Sequence, residues 1–308
     1  MLDPDRKPDL VAPAQPGFVR ALLITMRPQQ WVKNLFVAAP MLFSKNLGNE
    51  TQIARAAAAV VLFCLLSGAV YVINDLVDID KDRLHPRKRM RPIASGALDA
   101  HKARQAAAVL CAIAFGGGLA LGVGFTGAAL AYFLLNLAYS FWLKHLPFLD
   151  VLSIAAGFLL RVLAGALANR VEASGWLLAC TALLACFLGF GKRAHELGQG
   201  GERAEERRSV LARYEMEHLQ IALQLLAAAT VGAYIFYTQS DHTVALFGTH
   251  RMVWTTPFIA FGITRFLHLV QSRPRAESPT EEMLRDPLFL GNVVLWLGCV
   301  IFIIYFAK

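Results

Sequence analysis

Long uncharged apolar stretches alternate with short charged ones along most of this chain, and this alternation limits the possible folds more than any other feature. Hydrophobic residues make up 56% of the sequence and charged residues 17%, whereas soluble domains average roughly 45–50% and about 25%. An apolar segment of about 20 residues can cross a bilayer, and in lipid it must be helical to satisfy its own backbone hydrogen bonds. The sequence therefore predicts an all-α integral membrane protein.

Nine apolar runs are candidate spans, and the first of them is short and contains Lys33 and Asn34. The runs centre on residues 33–43, 53–73, 106–123, 128–142, 151–168, 176–190, 219–237, 252–270 and 288–306. We expect a polar tail over residues 1–17, a short interfacial helix over Phe18–Met26, and one membrane domain over residues 18–308. The five cysteines all lie in apolar runs and indicate neither a disulfide framework nor a zinc site.

The cations are concentrated in alternate connections between the spans, which indicates the orientation of the chain. Positively charged loops stay in the cytoplasm. With nine spans, this places the N-terminus in the cytoplasm of an inner (plasma) membrane protein and the C-terminus outside. The formal net charge of +8 is then mainly a topology signal that also suits phosphorylated substrates, and nucleic-acid binding is not expected.

An acidic motif, residues 74–82, follows the second apolar run. Asp75, Asp78 and Asp82 lie at i, i+3 and i+7, which is one face of a helix, whereas Asp80 falls off that face. Carboxylates next to a membrane segment repel one another and are costly to keep there. Mg²⁺ prefers hard oxygen ligands and often shares its coordination shell with substrate phosphates. The pattern favours a metal-bound phosphate group, and the alternative is a solvated acidic helix end.

Five cations lie within the nine residues that follow, in a loop interrupted by two prolines. Arginine offers forked donors to phosphate and lysine a point charge. The acidic residues would hold a metal ion, and the metal would bind a diphosphate. The cations would bind the remaining phosphate oxygens, and this arrangement would activate the diphosphate as a leaving group. Positive-inside bias explains the number of cations but not their position beside four aspartates. The candidate phosphate-binding residues in this loop are Arg83, Lys88, Arg89 and Arg91.

A second cationic cluster lies at the inner end of the sixth apolar run, where Lys192 and Arg193 could clamp another phosphate. Glu196 could orient one of these cations or reach a metal. His195 is more simply interpreted as a structural or solvated residue, since no second histidine stands at the spacing of a zinc motif.

Two further groups of polar residues lie in or beside apolar runs. Lys33 and Asn34 sit about one turn inside the first run, where a polar pair usually faces a cavity, although Lys33 could also extend to the membrane surface. Tyr139, Ser140 and Lys144 precede the fifth run. Within that run, Asp150 could cap the helix. Arg161, eleven residues later, should be paired or line a polar cavity.

The motif Asn74-Asp75-x-x-Asp78-x-x-x-Asp82, the Arg91-Pro92-Ile93-Ala94-Ser95-Gly96 segment and the nine-span layout resemble the UbiA-type intramembrane prenyltransferase superfamily. The resemblance covers essentially the whole chain. It implies nine transmembrane helices around a central cavity, cytoplasmic catalytic loops, and Mg²⁺-assisted ionisation of an isoprenoid diphosphate.

The chain departs from most of that superfamily after the sixth run, where Gly191-Lys192-Arg193-x-x-Glu196 replaces a second aspartate-rich motif. This departure resembles the decaprenyl-phosphate phosphoribosyltransferase branch, as do Trp31-Val32-Lys33-Asn34 and Tyr139-Ser140-x-x-Leu143-Lys144. That branch transfers ribose 5-phosphate from phosphoribosyl pyrophosphate to a polyprenyl phosphate, releases pyrophosphate, and supplies arabinan precursors for the cell envelope.

The resemblance also implies roles for individual residues. Asp75, Asp78 and Asp82 would be the catalytic residues that hold Mg²⁺ and pyrophosphate, and Asn74 would orient them. A second set would bind the sugar 5-phosphate and pyrophosphate: Lys33, Arg83, Lys88, Arg89 and Arg91. Lys192 and Arg193 would hold the lipid phosphate with help from Lys144, and Asn34, Tyr139 and Glu196 would complete the substrate site.

Two other functions remain open at this stage. One is transfer of an isoprenoid from its diphosphate to an aromatic or quinone-precursor acceptor, which the missing second aspartate motif argues against. The other is cation transport through the three aspartates, although transport sites usually lie near the middle of a span. The small residues in the spans would also permit protomers to associate into a homo-oligomer.

Overall fold

The computed structural model describes residues 17–200, 210–272 and 279–306, and within these ranges the chain is helical and contains no strand. The predicted polar tail, residues 1–17, lies outside the described residues except for Gly17. In chain order the α-helices are α1 (Phe18–Met26), α2 (Ala39–Phe43), α3 (Glu50–Val77), α4 (Ile79–Leu84), α5 (Ala100–Leu121), α6 (Val123–Phe141), α7 (Leu149–Asn169), α8 (Gly175–Gly200), α9 (Met216–Gln239), α10 (Asp241–Phe247), α11 (Thr256–Ser272), α12 (Pro279–Met283) and α13 (Pro287–Tyr305). The predicted helix over Phe18–Met26 is confirmed by α1.

Eight helices in the described part of the chain are long and apolar enough to cross a membrane. They are α3, α5, α6, α7, α8, α9, α13, and α11 together with the 3₁₀ turn Arg251–Thr255 that precedes it. They match the second to ninth predicted runs, and the expectation of an all-helical membrane protein is confirmed. All five cysteines are free thiols, as the sequence indicates.

The first predicted span is not a long α-helix, so the count of nine spanning helices is not confirmed. It forms an 11-residue 3₁₀ helix, Pro28–Ala38, followed by the 5-residue helix α2. The segment still joins the two ends of the bundle. Arg27, before it, pairs with Asp75 near the end of α3, and beyond it the hydroxyl of Tyr305 at the end of α13 contacts Leu42 and Leu47.

The 3₁₀ geometry explains how so few residues cover this distance. A 3₁₀ helix rises about 2.0 Å per residue against about 1.5 Å for an α-helix, so the whole segment can extend about 30 Å, the thickness of the hydrocarbon core. Its inner face is buried, with Asn34 and Val37 fully enclosed. It packs on α7 at Gly165, where an added Cβ would overlap the carbonyl oxygen of Val37.

Helix-capping residues fix where several long helices begin. Asn49 accepts the N–H of Gln52 at the start of α3, and Asp286 accepts the N–H of Phe289 at the start of α13. Asp99 caps α5, and the backbone N–H group of Lys102 that it accepts lowers the pKa of its carboxyl below the ordinary value. The beginning of α5, next to the charged loop, is thereby defined.

Candidate active site

Three aspartates come together where α3 ends and α4 begins, and we call Asp75, Asp78 and Asp82 the carboxylate cluster. The helix breaks at Asp78, whose backbone N–H still donates to the carbonyl of Asn74 at 3.0 Å. Asp75 and Asp82 are buried, whereas the side chain of Asp80 is 89% exposed. The i, i+3, i+7 spacing therefore predicts correctly which of the four aspartates points away.

Two arginines neutralise the buried members of the carboxylate cluster. The Nη1 atom of Arg91 lies 2.6 Å from Asp82 Oδ2 and 3.1 Å from Asp75 Oδ1. Arg27 Nη2 lies 2.7 Å from the same oxygen of Asp75, and its guanidinium also stacks over the ring of Tyr71. Buried carboxylates are stable only when they are paired, and these contacts provide the pairing. Arg91 was predicted at this site, whereas the direct role of Arg27 was not.

The chemistry of the donors suits Mg²⁺, since carboxylate oxygens are its preferred protein ligands. Among the described residues no group of three or more His, Cys, Asp or Glu side chains is close enough to hold a metal ion by itself. Mg²⁺ usually binds through one or two carboxylates, water and substrate phosphates, so two neighbouring aspartates provide a suitable protein contribution. The guanidinium of Arg91 joins Asp75 and Asp82 and would have to move from one of them to admit the ion.

The loop after α4 presents further cations on the same side of the molecule. His85 Nδ1 accepts the backbone N–H groups of Arg87 and Lys88, which shapes the turn. Lys88 and Arg89 are exposed. Arg83 donates to the carbonyl of Ala94 and approaches the exposed Asp80. The loop therefore leaves Lys88 and Arg89 accessible to an anionic ligand from the aqueous side.

The end of α6 connects the carboxylate cluster to the next group of polar residues. The Ser140 hydroxyl lies 2.6 Å from Asn74 Oδ1 and 2.8 Å from the carbonyl of Asn136. Lys144 Nζ is 4.0 Å from Asp78 Oδ2, which places this predicted lipid-phosphate residue beside the carboxylate cluster. Tyr139 precedes Ser140 at the end of α6.

The second cationic cluster is a chain of polar contacts rather than a pair of available cations. Arg193 is 1% exposed and its Nε lies 2.6 Å from Oδ2 of the fully buried Asp150. The other end of its guanidinium pairs with Glu196. Lys192 is 37% exposed and its Nζ lies 3.9 Å from Glu196. Of the two predicted phosphate-binding cations, the structure exposes Lys192 and encloses Arg193 between carboxylates.

Tyr214 completes this chain of contacts, and sequence reasoning missed it. Its hydroxyl donates to Asp150 Oδ1 at 2.6 Å and accepts the backbone N–H of Phe148 at 2.6 Å. Burial, followed by the bond to Asp150, raises the pKa of Tyr214 above its ordinary value. The 3₁₀ turn Leu211–Arg213 and Tyr214 are thus anchored to the beginning of α7. No local motif marks Tyr214, because its partners are distant in sequence.

Asn34, which the resemblance assigns to the substrate site, is fully buried in this structure. Its amide nitrogen donates to Ser67 Oγ at 3.0 Å, and its oxygen accepts Nε of Arg161 at 2.9 Å. Arg161 also donates to the carbonyl of Gly157 and to the hydroxyl of Tyr132. Both the nitrogen and the oxygen of the Asn34 amide are therefore hydrogen-bonded. Together these bonds link the 3₁₀ helix, α3, α6 and α7. Lys33 is only partly exposed.

The fold and this site together define the class of this protein. It is a polytopic, all-helical membrane protein that has paired carboxylates, and cations suited to binding phosphate, at one end of the bundle. The model of the UbiA prenyltransferase family matches residues 35–293. The chain belongs to the UbiA prenyltransferase family, as its acidic motif indicates.

Relatives of known name match over nearly the full length. The decaprenyl-phosphate phosphoribosyltransferase of Corynebacterium glutamicum is 33% identical over 94% of this chain and 87% of its own. The protein of the same name from Mycobacterium tuberculosis is 32% identical over 95% of this chain and 97% of its own.

Solved structures share the fold. A UbiA homolog from Archaeoglobus fulgidus bound to GPP and Mg²⁺ has a TM-score of 0.67 and 19% identity, and the match covers 92% of this chain and 97% of that one. The apo structure of a UbiA homolog from Aeropyrum pernix has a TM-score of 0.65 and 20% identity, and covers 90% of this chain and 98% of that one.

Proposed function

We propose that this protein transfers ribose 5-phosphate from phosphoribosyl pyrophosphate to decaprenyl phosphate or a similar polyprenyl phosphate, with Mg²⁺, and releases pyrophosphate. The names of the relatives from C. glutamicum and M. tuberculosis support this activity. In a cell that makes an arabinan-containing envelope, the product would be a precursor of that polymer.

The observation that carries the proposal is the asymmetry between the two charged clusters. The carboxylate cluster has three aspartates, two of them paired with arginines. The cluster around Lys192 contains the buried pair Arg193–Asp150 and one accessible lysine. A transferase that joins a soluble sugar diphosphate to a lipid monophosphate needs one metal–diphosphate site and one smaller anion site. The second aspartate-rich site of a prenyl diphosphate enzyme is not needed for this reaction.

The carboxylate cluster would bind the pyrophosphate group together with Mg²⁺. The ion would neutralise charge on the leaving diphosphate, and Asp75, Asp78 and Asp82 would hold it there. Arg91, released from one aspartate, would offer its guanidinium to the phosphate oxygens, as would Lys88 and Arg89 from the loop. Asn74, held by Ser140, would fix the orientation of the helix end.

The transfer itself breaks the bond between C1 of the ribose and the pyrophosphate oxygen. An oxygen of the lipid phosphate forms the new bond to C1, and pyrophosphate leaves with the electron pair of the broken bond. The lipid phosphate is already anionic and needs no strong base. Positive charge that develops on the sugar ring would be stabilised by the nearby carboxylates.

Lys192 and Lys144 are the cations that we assign to the lipid phosphate. Both side chains are partly exposed. Lys144 Nζ lies 4.0 Å from a carboxylate oxygen of Asp78, and Lys192 Nζ lies 3.9 Å from one of Glu196. Arg193, which the sequence assigns to the same phosphate, would instead hold Glu196 in place. The orientation with the N-terminus in the cytoplasm would present both clusters to the compartment that contains phosphoribosyl pyrophosphate.

The experiment is a pyrophosphate-release assay with the detergent-purified protein, Mg²⁺, phosphoribosyl pyrophosphate and decaprenyl phosphate, each omitted in turn. We expect release only when all three are present. Release that does not depend on the lipid phosphate would contradict transfer to lipid. Omission of Mg²⁺, or its removal with a chelator, should stop the reaction reversibly.

Isoprenoid transfer to an aromatic acceptor is the second candidate. Its support is the family itself and the A. fulgidus homologs whose structures hold GPP or DMAPP with Mg²⁺. The same assay with an isoprenoid diphosphate and 4-hydroxybenzoate in place of the proposed substrates would detect it. Turnover with that pair, and none with phosphoribosyl pyrophosphate, would replace our proposal with this one.

A further inference from the structure

A groove of about 430 Å³ lies on the outer surface between α3 and α5. Residues from both helices line it, among them Ile73, Leu76, Val77, Arg104, Ala108 and Cys111. Arg104 is the one charged residue among those that line it. The proposed reaction does not use this groove.

The groove lies on the opposite side of α3 from the carboxylate cluster. At 100° per residue, Ile73, Leu76 and Val77 share one face of the helix, and Asn74 and Asp75 lie on the other. Asn74 and Asp75 have their partners in Ser140, Arg27 and Arg91, none of which lines the groove. A molecule in the groove would therefore contact the back of the helix end that carries the site.

The groove lies at the end of the bundle where we expect the lipid headgroups. Its α3 residues belong to the last turn of that helix, immediately before the charged segment that starts at Asp78. Its cation, Arg104, lies in the second turn of α5, which begins at Ala100 after the cap Asp99. The apolar part of the groove continues from this level toward Cys111, about two turns deeper along the same helix.

Arg104 is an available cation. It is exposed, and within the described part of the chain it forms no ion pair or side-chain hydrogen bond. No acidic residue lines the groove with it. An apolar groove with one cation at its polar end is complementary to an acyl chain with an anionic headgroup, since surface arginines attract the anionic lipids of the cytoplasmic leaflet.

We infer that this groove binds a bilayer phospholipid with an anionic headgroup, whose phosphate contacts Arg104 and one of whose acyl chains lies against α3 and α5. The site is separate from the reaction and does not depend on which substrates the protein uses. A lipid bound there would support the end of α3 from behind, at the turn before the carboxylate cluster.

The test compares lipid binding to the purified full-length protein by native mass spectrometry. The probes are phosphatidylglycerol and phosphatidylcholine with identical acyl chains. Arg104→Gln removes the cation, and Ala108→Phe fills the groove at an exposed position. Lys102→Gln is the matched control, since Lys102 is an exposed cation on the same helix that does not line the groove.

We expect wild-type protein and Lys102→Gln to bind phosphatidylglycerol about fivefold more tightly than phosphatidylcholine, the preference that one interfacial arginine supplies. Arg104→Gln should abolish that preference, and Ala108→Phe should weaken binding of both lipids. Two results would overturn the inference: a preference that survives in Arg104→Gln, or one that is lost equally in Lys102→Gln.

A third result would assign the groove to the substrate instead. Decaprenyl phosphate would then displace phosphatidylglycerol from it, and Arg104→Gln would lose turnover in phosphatidylcholine nanodiscs. We expect neither, because Arg104 lies behind the helix that carries the carboxylates. Turnover of Arg104→Gln in those nanodiscs should match that of the wild type, and this outcome is readable whichever reaction the protein catalyses.

Discussion

At the scale of single residues, two adjacent cations have opposite surroundings. Lys192 and Arg193 look equivalent in the sequence, yet Arg193 is enclosed by Asp150 and Glu196 whereas Lys192 keeps much of its side chain in solvent. A buried ion pair that loses one partner leaves an uncompensated charge. We therefore propose that Arg193 stabilises the cluster and that Lys192 contacts the ligand.

This difference predicts opposite phenotypes for the two alanine variants. Arg193→Ala should lower stability by roughly 3–5 kcal/mol because it leaves Asp150 buried without its cation. Lys192→Ala should change stability by less than about 1 kcal/mol and raise the KM for the lipid phosphate more than that for phosphoribosyl pyrophosphate. Thermal unfolding in detergent and steady-state kinetics measure the two effects. A stable Arg193→Ala protein would contradict the role of the buried pair.

The contacts of Tyr214 predict that its substitution has a second, smaller effect on stability at the same cluster. Tyr214→Phe removes the hydroxyl that donates to Asp150 and accepts from Phe148. The loss of one donor to a buried carboxylate should cost roughly 1–3 kcal/mol. His218→Phe is a suitable control, since His218 is exposed on the following helix and pairs only with the exposed Glu215 in the described structure. Equal melting temperatures for Tyr214→Phe and the wild type would show that the Tyr214 hydroxyl does not anchor this turn to α7.

A substitution in the carboxylate cluster should reduce activity without unfolding the protein. Asp78→Asn should reduce turnover by on the order of 10²-fold, since it weakens a group that holds the metal–diphosphate charge. Asp80→Asn, at the exposed aspartate of the same segment, should keep nearly full turnover. Pyrophosphate release and the melting temperature are measured for both. If Asp78→Asn retained wild-type turnover, the metal assignment would be wrong.

At the scale of secondary-structure elements, the segment Pro28–Phe43 differs from the long helices because it combines a 3₁₀ helix with one short α-helix. The sequence indicates its location but not its form. The sequence predicts that Lys33 and Asn34 face a cavity, whereas in the structure the Asn34 amide bonds to Ser67 of α3 and Arg161 of α7. This arrangement requires Gly165, because any Cβ there would meet the backbone of Val37.

Gly165→Ala tests this close approach. The added methyl group should push the 3₁₀ helix away from α7 and destabilise the protein by roughly 1–3 kcal/mol, the usual cost of overpacking. Gly116→Ala is the control, because Gly116 is exposed in α5 and an added Cβ there meets nothing within 4 Å. That change should be neutral or stabilising by up to about 1 kcal/mol. Similar unfolding curves for the two variants would show that the segment is not packed as described.

Sequence patterns predict the regular part of this protein well and the contacts between distant residues poorly. Hydropathy locates the eight long helices, and helical spacing separates Asp80 from the other aspartates. The pairing of Arg27 with Asp75 and of Tyr214 with Asp150 joins residues that are 48 and 64 positions apart. Such contacts depend on how the helices pack, which local spacing does not encode.

At the scale of the whole molecule, the crossing by Pro28–Phe43 determines whether the termini lie on opposite sides of the membrane. Eight long helices together with this segment would place the N-terminus in the cytoplasm and the C-terminus outside. A cysteine added at either terminus and labelled in intact cells with a membrane-impermeant maleimide tests this arrangement. We expect labelling of the C-terminal cysteine only. Labelling of both or of neither would make Pro28–Phe43 a re-entrant segment.

The proposed activity also joins parts of the whole molecule, because the carboxylate cluster lies at the end of α3 and the cluster around Lys192 lies in α8. The most direct measurement is mass spectrometry of the lipid formed from ¹³C-ribose-labelled phosphoribosyl pyrophosphate and decaprenyl phosphate, with Mg²⁺ and the purified protein. We predict a lipid that carries the labelled ribose 5-phosphate on its phosphate, formed by the wild type and lost in Asp78→Asn. An unlabelled lipid from a folded protein that instead prenylates an aromatic acceptor would contradict the proposed activity.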